Sequence, residues 1–176
     1  MLKVGFIGLG NVGGKLAGSL LRNGVDLTVR DLNADIAQPF LDAGASWADS
    51  PREMAQKVDV LITCLPSPAA SAAVLEAEDG ALAGLGPGKI WAEMSTTDKD
   101  EVLRLGAKVR AVGAEPVDCP VSASSSLSTA IEYSHNFACD SFARMVPTRP
   151  AACQVVPQLN WLRSSCITSL QPSFAR

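Results

Sequence analysis

The chain has 176 residues, of which 47% are hydrophobic and only 5% aromatic, and its formal net charge at pH 7 is -3. This length is typical of one domain with at most a small appendage, and the composition predicts an aliphatic core like that of a parallel sheet covered by helices. An acidic chain without a basic stripe is not expected to bind nucleic acid, because such proteins cluster Lys and Arg against phosphates.

No segment of the sequence has the properties of a secretory signal or a membrane span. The first apolar stretch, residues 2–9, is short and rich in glycine, and no small-residue cleavage pattern follows it. No window approaches the roughly 20 apolar residues that cross a bilayer. We therefore expect a soluble, cytoplasmic chain with no membrane partner.

From residue 2 to about residue 120 the sequence alternates strand-like and helix-like segments. An apolar run that stops at Gly8 predicts the first strand, and an apolar stripe that ends at Asn23-Gly24 predicts the first helix. Ser50 and Glu53 form a capping box ahead of a later helix. In chain order the prediction is strand 2–7, helix 12–22, strand 26–30, helix 33–43 capped by Asn33, strand 45–47, helix 51–57, strand 58–65, helix 67–78, strand 89–94, helix 97–110 and strand 114–117.

Alternating elements of these lengths indicate a Rossmann-like α/β fold, with a doubly wound, mostly parallel sheet and right-handed crossovers. The character of the sequence changes near Ser122. All 14 glycines lie at or before Gly113, and no lysine follows Lys108. Beyond that point serine and proline break up any regular period. We predict a folded domain over residues 1–122 and an irregular, poorly ordered tail over residues 123–176.

The segment Gly8-Leu9-Gly10-Asn11-Val12-Gly13 has the GxGxxG form of a dinucleotide-binding turn. It begins where a predicted strand ends and opens a predicted helix, and Asp31 follows at the expected interval of about 20 residues. Gly8 permits the tight turn, Gly10 leaves room for the pyrophosphate, and Gly13 lets the helix lie close to the strand. Backbone N–H groups at the helix start then bind the pyrophosphate.

Asp31 is the predicted acceptor for the hydroxyls of the adenosine ribose. A carboxylate there would repel the additional phosphate of NADP, which favours NAD as the cofactor. Arg30 adjoins Asp31 and could bind that phosphate, so NADP stays open as the alternative. The remaining interpretation is a tight strand-to-helix turn in a sheet that binds something else.

Four motifs occur in an order and spacing that resemble a known family. They are Gly5-Phe6-Ile7-Gly8-Leu9-Gly10-Asn11-Val12-Gly13, Cys64-Leu65-Pro66-Ser67, Glu93-Met94-Ser95-Thr96-Thr97 and Asp118-Cys119-Pro120-Val121-Ser122. Together they resemble the β-hydroxyacid dehydrogenases, which include 3-hydroxyisobutyrate dehydrogenase and tartronate semialdehyde reductase and are similar to the NAD-binding domain of 6-phosphogluconate dehydrogenase. The resemblance covers residues 1–122.

The resemblance implies an NAD(P)-dependent oxidoreductase that transfers hydride between the nicotinamide and a small 3-hydroxy acid. It implies that Leu65 and Pro66 pack on the nicotinamide side of the cofactor and that Ser95 and Thr96 line the nicotinamide and substrate cleft. Ser122 matches the start of the segment that binds the substrate carboxylate. Read locally, residues 65–68 are a strand end and turn, and residues 95–97 are a helix cap.

The sequence departs from the family in its last third. The family's Ser-Gly-Gly segment reads Ser122-Ala123-Ser124 here, and no lysine stands in the position of the family's catalytic lysine. The family's helical carboxy-terminal domain, which makes much of its dimer, has no counterpart either, so the oligomeric state stays open. We expect a truncation or frameshift near Ser122 and a domain that binds NAD(P) without turnover. The alternatives are a working dehydrogenase and a nonproductive fragment or interaction module that binds no cofactor.

Other polar and sulfur-containing side chains are assigned no chemistry. His135 is the only histidine and is expected to be incidental. Glu93 is interpreted as a turn residue, with a position lining the cleft as the alternative, and Cys119 as a small buried residue rather than a nucleophile. The five cysteines form no CxxC pair, which favours reduced thiols over a metal site or a disulfide framework; they are Cys64, Cys119, Cys139, Cys153 and Cys166.

Overall fold

A computed structural model describes residues 2–120, which form a six-stranded sheet with helices on both faces. The strands are β1 (Lys3–Ile7), β2 (Asp26–Arg30), β3 (Ser46–Trp47), β4 (Val60–Thr63), β5 (Ile90–Glu93) and β6 (Glu115–Asp118). The helices are α1 (Gly13–Arg22), α2 (Gln38–Asp42), α3 (Pro51–Lys57), α4 (Pro68–Glu76) and α5 (Lys99–Ala111), with 3₁₀ turns at Ala34–Ala37 and Ala81–Ala83. The predicted tail, Ser122 and His135 lie outside the described residues.

The strand order is β3-β2-β1-β4-β5-β6, and every strand pair in the described part is parallel. The Rossmann-like sheet expected from the sequence is therefore confirmed. The chain builds outward from β1 in one direction through β2 and β3, and then in the other direction through β4, β5 and β6. The two directions meet between β1 and β4, which is the point where sheets of this kind bind ligands.

Two apolar cores cover the two faces of the sheet. Side chains from β1, β2 and β4, such as Phe6 and Val29, pack with α1 and α2 in one core. Leu61 and Trp91 point to the opposite face and pack with residues of α3, α4 and α5 in the other. Successive strand residues face opposite sides, so a continuous apolar strand supplies both cores. This explains why β4 is buried along its whole length.

The helix starts follow the predicted capping residues, with three differences. The helix predicted over 33–43 divides into a 3₁₀ turn and α2, because Pro39 lacks the N–H that a continuous helix requires and instead stands in the first turn of α2. Ser50 caps α3 as predicted, but the Glu53 carboxylate accepts from the Asp49 N–H and the capping box is not reciprocal. The last helix starts at Lys99 with Asp98 as its cap, so the cap predicted at residues 95–97 was wrong.

Lys89 ties the carboxyl end of α3 to the start of β5. Its Nζ donates to the carbonyls of Ala55 at 2.6 Å, Gln56 at 3.0 Å and Val58 at 2.7 Å. Partial burial lowers the pKa of Lys89 from its ordinary value. The ammonium thus satisfies carbonyls that a helix end leaves without partners, at the negative end of the helix dipole.

We predict that Lys89→Met lowers the free energy of unfolding by about 1–3 kcal/mol, because three backbone carbonyls, two of them partly buried, lose their charged donor. Urea unfolding followed by circular dichroism measures this. Lys57→Met is the matched control, since the exposed Lys57 pairs with Glu53 on the surface of the same helix, where solvent screens the interaction and little stability is lost with it. Equal losses for the two variants would contradict the prediction.

Candidate dinucleotide site

The predicted site residues come together at the carboxyl edge of the sheet. The strands are in register there, with Ile7 opposite both Arg30 and Thr63, and Thr63 opposite Glu93. The loops that follow β1, β2, β4 and β5 consequently emerge side by side. The residues brought together in this way are Gly8, Leu9, Gly10, Asn11, Val12, Gly13, Asp31, Leu65, Pro66, Ser95 and Thr96.

The three glycines of the GxGxxG turn after β1 differ in backbone conformation and in the space around them. Gly8 has a φ of +101°, and a Cβ there would lie 2.2 Å from the Cys64 carbonyl oxygen. A Cβ at Gly13 would lie 1.9 Å from the Gly8 carbonyl oxygen. At Gly10, by contrast, a Cβ would meet nothing within 4 Å. Gly8 and Gly13 are therefore required by the protein's own packing, whereas the fold itself places no demand on Gly10.

The start of α1 is open to an anion. Its N-cap, Val12, makes no side-chain capping bond, and no acidic residue lies in the first turn. In contrast, serine or aspartate side chains cap α3, α4 and α5. The first N–H groups of a helix have no acceptor within the helix, and the helix dipole makes this end positive. Amides near Val12 and Gly13 are therefore available to a negatively charged group.

Asp31 reaches the glycine turn, and Arg30 does not join it. The Asp31 carboxylate accepts from the Leu9 N–H at 2.7 Å and from the Asn33 N–H at 3.0 Å. The Arg30 guanidinium donates instead to the carbonyls of Ala48 and Asp49, at 3.0 and 2.5 Å. Its central carbon also lies 5.9 Å from the centre of the Trp47 ring. The carboxylate thus lies beside the turn, while the cation is held over β3.

The loops after β4 and β5 are joined by a hydroxyl and a buried carboxylate. Ser95 Oγ accepts from the Leu65 N–H at 2.7 Å and donates to Glu93 Oε1 at 2.5 Å. Glu93 is fully buried at the end of β5, so its interpretation as a turn residue was wrong. The sequence offered one indication that was missed, a carboxylate that directly continues the apolar run of a buried strand. Of the remaining predicted residues, Pro66 and Thr96 are exposed.

Two thiols lie at the same edge of the sheet. Cys64 follows β4 and Cys119 follows β6, and both are partly buried and outside any disulfide. Burial, together with the Glu93 carboxylate, raises the pKa of Cys64 to about 11. Burial and then the carboxylates of Asp118 and Glu93 raise the pKa of Cys119 to about 12. Both thiols stay protonated at neutral pH, which argues against nucleophilic chemistry at this edge.

Residues 2–120 contain no group of three or more His, Cys, Asp or Glu side chains that could hold a metal ion. No helix within the same residues has the length and apolar character that a bilayer crossing requires.

A Rossmann sheet with a GxGxxG turn at its switch point and a carboxylate at the end of the next strand defines a dinucleotide-binding domain. Comparison with protein families gives the same class. Residues 3–132 match the family described as the NAD binding domain of 6-phosphogluconate dehydrogenase. The chain belongs to this family of NAD-binding domains.

Individual relatives agree with the resemblance seen in the sequence. The chain is 38% identical over 119 residues to mitochondrial 3-hydroxyisobutyrate dehydrogenase of Mus musculus, an alignment that covers 68% of this chain and 36% of the mouse protein. It is 32% identical over 126 residues to the cytokine-like nuclear factor N-PAC of Homo sapiens, covering 72% of this chain and 23% of that protein. The crystal structure of 3-hydroxyisobutyrate dehydrogenase from Salmonella typhimurium superimposes with a TM-score of 0.65 and 30% identity, covering 74% of this chain and 46% of that one. The chain thus spans about a third of the mouse relative's length.

The glycines of the turn give a paired prediction about stability. Gly13→Ala should lower the free energy of unfolding by about 3 kcal/mol or more, because the new methyl group meets a backbone carbonyl that cannot move aside. Gly10→Ala should change it by less than about 1 kcal/mol, since the methyl group enters open space. Urea unfolding of the two variants and the wild type measures both effects. A similar loss for both would show that the turn has a different shape.

The thiols give a prediction about reactivity. At pH 8 a thiol with a pKa of about 11 is ionised to about one part in a thousand, so we expect Cys64 to react with iodoacetamide about 100-fold more slowly in the folded chain than in urea. Cys119 should be slower still. Peptide mass mapping resolves these two residues from the other three cysteines. Fast labelling of folded Cys64 at pH 8 would refute the prediction.

Proposed function

We propose that this chain binds NAD through the carboxyl edge of its sheet. The pyrophosphate lies on the turn Gly8–Gly13, the Asp31 carboxylate accepts from the adenosine ribose, and the loops after β4 and β5 border the nicotinamide. The observation that carries the proposal is the difference between Gly10, where a Cβ would meet nothing, and Gly8 and Gly13, where it would overlap backbone atoms. The fold requires glycine at positions 8 and 13 but not at Gly10. Glycine at a position with open space beside it is expected where a cofactor's pyrophosphate approaches the backbone.

The charges around the ribose site support NAD over NADP. Residues 31–50, which connect β2 to α3, contain no Lys or Arg, and Asp31, Asp35, Asp42 and Asp49 make this connection acidic. Arg30, which precedes Asp31 in the chain, has its donors on the carbonyls of Ala48 and Asp49. To bind a 2'-phosphate the guanidinium would have to leave those carbonyls, and the phosphate would still face the Asp31 carboxylate.

We propose further that the domain belongs to an oxidoreductase that acts on a small 3-hydroxy acid and that these 176 residues alone do not turn it over. The mouse and Salmonella relatives are named for 3-hydroxyisobutyrate, which supports the substrate class. No lysine follows Lys108, so the proton-transfer group implied by the resemblance is not among these residues. A cytoplasmic location stays a prediction, since the mouse relative is named as mitochondrial.

The test is calorimetric titration of the chain with NADH, followed by an NAD-reduction assay with 3-hydroxyisobutyrate and glycerate. We expect binding by the wild type, binding reduced more than about tenfold in Gly10→Ala at unchanged stability, and no increase in NADH absorbance with either acid. Steady turnover would overturn the inactive part of the proposal. The absence of NADH binding by the folded wild type would overturn the proposal as a whole and favour a fragment or interaction module.

Cofactor selectivity is tested by titrating NADPH in parallel. The wild type should prefer NADH, and Asp31→Asn should shift the ratio of the two affinities toward NADPH by about tenfold, because the repelling charge is removed. Asp35→Asn removes an exposed carboxylate from the same connection and should leave the ratio unchanged. A ratio that moves equally in both variants would contradict the role assigned to Asp31.

A further inference from the structure

Glu93 is a buried carboxylate that forms no ion pair within residues 2–120. It ends β5 with none of its surface exposed, and both hydrogen bonds to its Oε1 come from one residue, Ser95, through the N–H at 2.9 Å and the Oγ at 2.5 Å. The other oxygen, Oε2, is buried and has no hydrogen-bond partner within residues 2–120. Burying a carboxylate this way costs free energy, because water is lost and only half of the acceptor capacity is used. An apolar side chain at this position would stabilise the sheet more.

The carboxylate determines the direction in which the Ser95 hydroxyl points. Because the Ser95 hydrogen is donated to Glu93, a lone pair of Oγ is left for the Leu65 N–H, which donates at 2.7 Å. A buried hydroxyl that donates to a carboxyl oxygen makes a directed contact. The resulting chain, Leu65 N–H to Ser95 Oγ to Glu93, crosses from the loop after β4 to the end of β5.

This chain begins where the backbone ladder of the sheet stops. The Cys64 N–H still donates to the Ile7 carbonyl at 3.0 Å, and the Met94 N–H to the Thr63 carbonyl at 2.8 Å. Leu65, the residue after Cys64, instead donates its N–H to the Ser95 side chain. Its own side chain packs against the glycine turn, since a Cβ placed on Gly8 would lie 3.1 Å from Leu65 Cδ2.

We propose that Glu93 is a positioning residue for the nicotinamide half of the site. Acting through the Ser95 hydroxyl, it holds the loop that starts at Leu65 against the glycine turn, so that the loop is ordered before the ring arrives. Preorganisation of this kind raises affinity by reducing the entropy lost on binding. The inference rests on the proposed function, since it requires a dinucleotide in this site.

The test compares NADH with ADP-ribose, which retains the adenosine, both phosphates and the second ribose but lacks the nicotinamide. Calorimetric titrations use the 176-residue chain as wild type, Ser95→Ala and Glu93→Gln. The matched control is Ser71→Ala, because Ser71 is also a buried serine but its Oγ has no hydrogen-bond partner in the described part of the chain. Circular dichroism melting shows which variants are folded, and Ser95→Ala carries the test if Glu93→Gln does not fold.

We expect Ser95→Ala and Glu93→Gln to bind NADH about fivefold to tenfold more weakly, the loss of one hydrogen bond, and to bind ADP-ribose within about twofold of the wild type. Ser71→Ala should bind both ligands as the wild type does. A parallel loss for the two ligands, or unchanged NADH binding in folded Ser95→Ala, would overturn the role of Glu93. A wild type that binds neither ligand would overturn the proposed function itself.

Discussion

The contact on which the site depends is the close approach of α1 to the end of β1. Gly13, the first residue of the helix, lies so near the Gly8 carbonyl that a side chain at this position would overlap it. Although residues 8–12 separate the two elements, this contact places the start of the helix, with its first amides, beside the end of the strand. The positive φ of Gly8 makes the turn short enough, and no other residue type adopts that φ without strain.

A parallel sheet then determines what surrounds the turn. Every strand in the described part runs in the same direction, so every strand end contributes its following loop to one edge. Asp31 and Leu65, 34 positions apart in the chain, both contact the glycine turn for this reason, Asp31 by a hydrogen bond to Leu9 and Leu65 by packing on Gly8. The polar groups at this edge are arranged at some cost to stability, and Glu93 is the clearest case, since it is a buried carboxylate of which one oxygen has no hydrogen-bond partner among the described residues. Such costs are retained at functional sites when the rest of the fold is stable enough to bear them.

In the proposal, cofactor binding and hydride chemistry depend on different residues. Those proposed to hold the dinucleotide lie within β1–β5 and the loops that follow these strands. The proton-transfer group that hydride chemistry on a hydroxy acid requires is a different residue on a different element, and the resemblance places it beyond Ser122. The human relative N-PAC, which is named as a nuclear factor, shows that domains of this family also occur in proteins whose names do not describe an enzyme.

Features that depend on neighbours in the sequence were determined by the sequence itself. The glycine spacing of the turn, the caps at Asn33 and Ser50, and the alternation of strands and helices involve residues within a few positions of each other, and the structure reproduces them. Only the tertiary structure decided where long-range partners lie. In the folded chain the Arg30 guanidinium donates to carbonyls 18 and 19 positions away, and the Ser95 hydroxyl accepts from an amide 30 positions away. Glu93 is buried at the end of a strand. Those contacts exist because separate strands meet side by side, and a carboxylate or guanidinium in the sequence does not reveal which distant backbone group will be next to it.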